Sequence, residues 1–108
     1  VVVNLLQENF LNEERFAEAF VSGKFRIKKW GRTKIIGHLK QKRISEYCIK
    51  KGLKQIDESD YLTTLDYWIE RKMRESTETD IFKKKGKVAV FAIQKGFESY
   101  LVWEVLNG

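Results

Sequence analysis

The apolar positions along the chain recur at helical spacing. In residues 13–27 they follow the i, i+1, i+4, i+5 pattern of a helix that packs one face on a core, with Phe16, Ala17, Phe20 and Val21 inward. Asn12 comes directly before this pattern, and its side chain can accept hydrogen bonds from the free N–H groups of a first helical turn. The pattern therefore predicts a helix that Asn12 caps and that ends before a turn at Trp30-Gly31.

Two shorter helices are predicted next. The first covers residues 32–42, and the second follows Ser45, which is a good N-cap with Glu46 in the first turn. Their predicted inward side chains are Ile35, Ile36 and Leu39 in the first and Tyr47, Cys48, Ile49 and Leu53 in the second.

The pattern restarts at the acidic run of residues 57–60, which is typical of a helix start. A helix with Leu62, Leu65, Ile69 and Met73 inward is predicted, followed by a loop over residues 77–80. Residues 88–93 fit a buried strand or a helix, and Ala89, Ala92 and Gln94 favour the helix. Glu98 or Ser99 is predicted to start a last helix, with Leu101, Val102, Val105 and Leu106 inward.

The chain repeats itself after 53 residues. Gln41-Lys42-Arg43-Ile44 aligns with Gln94-Lys95-Gly96-Phe97, and Tyr47 aligns with Tyr100. Three helices per unit predict an all-α protein of tandem three-helix repeats, stacked into an elongated curved array. The predicted units are 11–56 and 57–108, with 1–10 as the end of a truncated first repeat. Because no initiator Met is present, we expect the chain to begin inside a longer protein.

Charge alternates along the chain in step with the repeats. Residues 24–54 hold twelve basic side chains and one acidic one, Glu46, whereas residues 57–80 hold eight acidic and three basic ones. The net charge is +6. Such basic segments can attract an anionic partner at long range, or they can simply solvate helix faces. Trp30 lies among the cations and can either stack on a base or partner groove, or pack at the turn.

The sequence offers little for catalysis or metal binding. His38 is the only histidine, Cys48 the only cysteine, and no metal-ligand spacing or Gly-rich phosphate loop occurs. We expect Cys48 to be a buried structural thiol and His38 to lie at the surface or its boundary. The prediction is a cytoplasmic, non-enzymatic protein without cofactor, metal, small-molecule substrate or membrane contact.

Two segments resemble the RecX family of regulatory proteins. Residues 10–17, Phe-Leu-Asn-Glu-Glu-Arg-Phe-Ala, are similar to the family's Gly-Tyr-Leu-Asp-Asp-x-Arg-Phe-Ala signature. Residues 30–45, from Trp30 to Ser45, are similar to its Gly-x-x-x-Ile-x-x-x-Leu-x-x-Lys-Gly-Ile segment, and residues 81–97 resemble a further unit. The sequence departs from the family at Arg43, where the family has glycine, and at Asn12-Glu13, where it has Asp-Asp.

The resemblance implies a partner and an activity. Family members bind the RecA recombinase filament on single-stranded DNA and suppress its ATPase, strand exchange and co-protease activities. These activities belong to DNA repair, homologous recombination and the SOS response of bacteria.

The residues predicted to meet this partner form two basic patches, which are Arg26, Lys28, Lys29, Trp30, Arg32 and Lys34, and then Lys83, Lys84, Lys85 and Lys87. We expect reversal of Arg32 and Lys34 to glutamate to weaken binding without unfolding the protein. The alternatives are direct binding of single- or double-stranded DNA by a helix-turn-helix-like unit, and a scaffold for another protein.

Overall fold

The computed structural model describes the backbone of residues 2–108 and the side chains of residues 12–108. The described chain consists of six α-helices and one π-helical turn. In chain order these are α1 (Val2–Gly23), the π-helical turn (Lys24–Lys28), α2 (Arg32–Gln41), α3 (Glu46–Leu53), α4 (Glu58–Glu75), α5 (Ile81–Gln94) and α6 (Ser99–Asn107). No strand occurs in this described part, so the predicted all-α class is confirmed.

The first three helices pack as one unit, and the last three as another. In the first, α3 lies against α1 so closely that a Cβ on Gly52 would be 3.0 Å from the carbonyl oxygen of Ala17. In the second, α5 and α6 both pack against α4. The long dimension of the molecule is 65 Å and the others are 23 and 20 Å, as expected for stacked repeats. The unit boundaries near residues 10 and 56 stay predictions.

One continuous core of apolar side chains runs through both units. It contains Ala17 and Val21 from α1, and Tyr61 and Leu65 from α4. The remaining buried members are Phe25, Ile35, Leu39, Cys48, Ile49, Ile69, Val88, Ala89, Ala92, Phe97, Leu101, Val102 and Leu106. Burial of Cys48 is therefore confirmed, and residues 88–93 lie in a helix as predicted.

Several predicted caps are present. The Ser45 hydroxyl accepts a hydrogen bond from the Cys48 N–H at 3.3 Å, and the Asp57 carboxylate accepts one from the Asp60 N–H at 3.3 Å. The predicted cap at Asn12 is wrong, because α1 runs without a break through this residue. A cap-forming side chain inside a sequence of good helix formers does not by itself start a helix.

Not every predicted inward side chain is buried. Phe16, Tyr47 and Leu62 are substantially exposed. In α4 the buried stripe begins at Tyr61 rather than Leu62, because Tyr61 is four residues before Leu65 and shares its face.

Candidate partner-binding surface

The two repeats meet where α2 begins. The Gly31 N–H donates to the Lys95 carbonyl oxygen at 2.8 Å, and the Thr33 N–H donates to the Gly96 carbonyl oxygen at 2.9 Å. The Arg32 N–H donates to the Tyr61 hydroxyl at 2.9 Å. The free N–H groups at the start of a helix need acceptors, and here the turn between α5 and α6 supplies two of them. We name this contact the repeat junction.

The backbones approach very closely at the repeat junction. A Cβ on Gly31 would be 2.2 Å from the carbonyl carbon of Gly96, and a Cβ on Gly96 would be 2.4 Å from the Cβ of Lys34. Gly96 also has a φ of 104°, in the left-handed region that favours glycine. Both positions therefore require glycine for the two repeats to stay in contact.

Arg32 is the central side chain of the repeat junction. Its guanidinium forms ion pairs with Glu98 at 2.8 Å and with Glu58 at 3.2 Å, and it lies 4.0 Å from the ring centroid of Tyr61. Burial alone would lower the pKa of Arg32, but Glu98, with Tyr61 and Glu58, raises it above the usual value. Arg32 therefore stays charged and holds α2 against α4 and α6.

Tyr61 completes the network by donating its phenol hydrogen to Glu98. Burial, together with this hydrogen bond, raises the pKa of Tyr61 well above the usual value for a phenol. The ring packs between Phe97, at 5.1 Å between centroids, and Phe25, at 6.0 Å. The hydroxyl therefore stays protonated and both donates and accepts within the junction.

The placement of Arg32 corrects one prediction. Arg32 was expected on the solvent-facing side of its helix as part of a partner-binding patch, yet its side chain is only 24% exposed and binds two glutamates. A glutamate at this position would lie beside Glu58 and Glu98. In contrast to the expectation from the sequence alone, we therefore expect reversal of Arg32 to lower the stability of the fold.

Other members of the first basic patch also have contacts within the protein. The Lys34 Nζ lies 4.5 Å from the ring centroid of Trp30, and the Lys24 Nζ lies 5.1 Å from it. The His38 ring is 4.7 Å away, so Trp30 packs among α2 side chains at the turn. The Lys29 carbonyl accepts a hydrogen bond from the Trp68 indole at 2.9 Å.

Arg26 and Lys28 are the members of the first patch that project freely. Both are exposed, and neither forms an ion pair with any of the side chains described from residue 12 onward. They lie on the π-helical turn, which Phe25 fixes by burying its ring in the core.

The second basic patch lies on the first two turns of α5. Lys83 and Lys87 are exposed, and Lys84 and Lys85 are half-buried. Lys87 forms an ion pair with Glu78 at 3.1 Å. Helix α2 contacts the turn that follows the other end of α5, at Lys95 and Gly96. The second patch therefore lies near one end of α5, and the contact with α2 follows its other end.

The described residues show neither a metal site nor a membrane span. No group of three or more potential metal-ligating side chains occurs among them. No helix in this part of the chain is long and apolar enough to cross a bilayer.

The two packed three-helix units define a tandem three-helix repeat protein with exposed basic side chains on both units. Residues 12–53 match the family model of the second three-helix domain of RecX, and residues 58–106 match that of the third. The chain therefore belongs to the RecX family.

Curated relatives agree with this assignment. The chain is 33% identical over 112 residues to "Regulatory protein RecX" of Clostridium tetani, covering 98% of this chain and 50% of the relative. It is 32% identical over 96 residues to the protein of the same name from Clostridium perfringens strain 13, covering 87% and 44%. The chain thus spans half or less of these relatives' length. No solved structure matches it.

Proposed function

We propose that this protein binds the RecA recombinase filament on single-stranded DNA and inhibits its ATPase, strand exchange and co-protease activities. The observation that carries the proposal is the match of both repeats to successive RecX domains, supported by relatives named regulatory proteins. The protein acts by binding rather than by catalysis, and the cytoplasm is its proposed location.

Exposed basic side chains without an ion-pair partner among the described residues favour contact with an anionic assembly. Arg26 and Lys28 project from the first repeat, and Lys83 projects from the second. An array 65 Å long can reach across neighbouring subunits of a filament. In the filament groove, the basic side chains would face acidic recombinase surface or phosphate and obstruct the second DNA strand.

The test is the single-stranded-DNA-dependent ATPase of the cognate recombinase, titrated with this protein at two salt concentrations. We expect inhibition at well below one molecule per recombinase subunit, and weaker inhibition at the higher salt concentration. If the full chain, at equimolar amounts, leaves the ATPase rate unchanged, the proposal is refuted.

A pair of variants tests the cationic contact. The double substitution Arg26→Glu and Lys28→Glu should raise the half-inhibitory concentration about tenfold or more, because exposed charges steer association. The matched control is Lys54→Glu, which reverses another exposed lysine of the same basic segment at the end of α3. Equal potency of the double variant and the control would show that the π-helical turn does not meet the partner.

Direct DNA binding is the second candidate. Exposed cations surround the turn between α2 and α3, in an arrangement similar to a helix-turn-helix unit; they are Lys40, Lys42, Arg43 and Lys50. Tight, strongly salt-dependent binding to bare DNA, without inhibition of the recombinase, would favour this candidate.

A further inference from the structure

A narrow apolar stripe on α5 faces solvent. Phe82 is 82% exposed, Val90 54% and Ile93 40%, and they lie on one side of the helix with Gly86 between them. The neighbouring side of α5 enters the core through Val88, Ala89 and Ala92, which therefore are not part of the stripe. We name Phe82, Gly86, Val90 and Ile93 the α5 stripe.

The other repeat shows that the fold does not need this stripe. At the offset of 53 residues, the four positions of the α5 stripe correspond to Lys29, Thr33, Gly37 and Lys40. Lys29 precedes α2, and the three positions that lie on α2 hold no large apolar side chain, although both helices occupy the same place in their units. Exposed apolar side chains confined to one repeat indicate a contact specific to that repeat.

The charges around the α5 stripe narrow the choice of partner. Helix α5 holds Lys83, Lys84, Lys85 and Lys87 and no acidic residue. Lys83 and Lys84 lie in its first turn, where the helix dipole adds positive potential and makes lysines unfavourable for the isolated protein. A second copy docked parallel through the same face would bring two such sets of lysines together, whereas an acidic partner would be attracted by them in either orientation.

The composition of the stripe also favours a protein partner over a nucleic acid. Val90 and Ile93 are aliphatic and offer no ring on which a base can stack. Only Phe82 has one. The stripe spans about 16 Å, or three helical turns, which is the length over which two packed helices exchange side chains. No atom lies within 4 Å of a Cβ built on Gly86, so a partner side chain can enter between Phe82 and Val90.

We propose that the α5 stripe binds an acidic amphipathic helix of the recombinase, with the partner's apolar side chains on Phe82, Val90 and Ile93 and its carboxylates on the flanking lysines. This inference rests on the proposed function for the identity of the partner. It adds a second, largely apolar contact to the cationic one made by Arg26 and Lys28.

The first measurement is binding of the labelled full chain to recombinase filaments assembled on single-stranded DNA. The test variant combines Phe82→Ser with Ile93→Ser. The matched control is Ile27→Ser, because Ile27 is 78% exposed and lies outside the stripe. We expect the double variant to bind at least tenfold more weakly, with a loss that persists at high salt, and the control to bind like the wild type. Thermal melts serve as the check on folding: Phe82 and Ile27 are mostly exposed and Ile93 is 40% exposed, so we expect at most a small decrease in the melting temperature of the double variant.

The second measurement makes failure of this inference distinguishable from failure of the proposed function. It uses a synthetic amphipathic peptide of about 18 residues, with leucines on one face and glutamates elsewhere, and a control peptide with lysines in place of the glutamates. The wild type should bind the acidic peptide only, and the double variant should bind neither. If the wild-type protein binds the acidic peptide but no filament, the proposed function is refuted, and the helix does not come from the recombinase. The same result would support the inference that the stripe binds an acidic amphipathic helix.

Two results would overturn the inference. One is equal filament binding by the double variant and the wild type. The other is stripe-dependent binding to vesicles of anionic phospholipid without binding to the acidic peptide, which would assign the stripe to a membrane surface.

Discussion

Substitution of Gly31 by alanine tests whether the repeat junction holds the two units together. The backbone at Gly31, with φ −78° and ψ 167°, suits any residue, so the substitution introduces no backbone strain. The new Cβ would lie 2.2 Å from the Gly96 carbonyl carbon and 2.3 Å from the Phe97 nitrogen. These are backbone atoms and cannot rotate away, so the repeats must separate.

The expected destabilisation follows from the contacts that this separation removes. Overpacking against backbone costs about 2 kcal/mol. Loss of the hydrogen bonds from Gly31 to Lys95 and from Thr33 to Gly96 costs about 1 kcal/mol each. Alanine restricts the unfolded chain and returns about 0.5 kcal/mol. We therefore expect Gly31→Ala to lower the free energy of unfolding by about 3.5 kcal/mol.

Urea unfolding followed by far-ultraviolet circular dichroism measures this change, and Trp68, whose indole binds the Lys29 carbonyl, reports the junction by fluorescence. The control is Gly37→Ala in α2, where a Cβ meets no atom within 4 Å. Alanine in a helix should stabilise that variant by about 0.5–1 kcal/mol. A Gly31→Ala protein within about 0.5 kcal/mol of the wild type would refute the close contact on which this reasoning depends.

Three further substitutions probe the junction and its counterpart in the first repeat. Arg43→Gly should raise the free energy of unfolding by about 1 kcal/mol, since Arg43 has a φ of 61°, whereas Arg43→Ala should not. In thermal melts, Arg32→Glu should be less stable than the wild type by about 2 kcal/mol or more, because two ion pairs are replaced by repulsion; unchanged stability would mean that these pairs contribute nothing. Because the pKa of Tyr61 is raised in the fold, its contribution is complete below about pH 10 and is lost as the pH rises further. The stability difference between wild type and Tyr61→Phe should therefore narrow above pH 10 in urea titrations, and a constant difference would contradict the buried phenol.

The helices were largely predictable because their signals are local. Ser45 and Asp57 each precede a helix and bind its first free N–H groups, as their side-chain chemistry predicts. The aligned turns at Arg43 and Gly96 both have positive φ, so the resemblance of residues 41–44 to residues 94–97 extends to the backbone. Arg43 thus has a positive φ at a position where glycine carries no steric penalty.

The repeat junction was not predictable in the same way. It depends on carbonyl oxygens of Lys95 and Gly96, which have no sequence signature, and on a contact between residues more than 60 positions apart. The sequence around Arg32 predicts a solvent-exposed basic side chain, because its ion-pair partners, Glu58 and Glu98, are far from it in the chain. A glycine directly before a helix, Gly31, was the one local sign that another backbone comes close.

The π-helical turn and the α5 stripe were missed for different reasons. Residues 24–28 have the periodicity of a helix, and a change from α to π hydrogen bonding has no clear signature in side-chain type. Exposure of Phe82, Val90 and Ile93 could not be inferred, because apolar residues in a short helix are usually assigned to the core.

The hydrogen bonds at the start of α2 have acceptors near the carboxyl end of the chain, and this position determines when they can form. During synthesis, residues 31–33 leave the ribosome long before residues 95 and 96 exist, so the start of α2 has nothing to bind except water. The first hydrogen bonds of α2 to the second repeat can therefore form only after the turn between α5 and α6 has been synthesised, so this contact between the repeats is completed last.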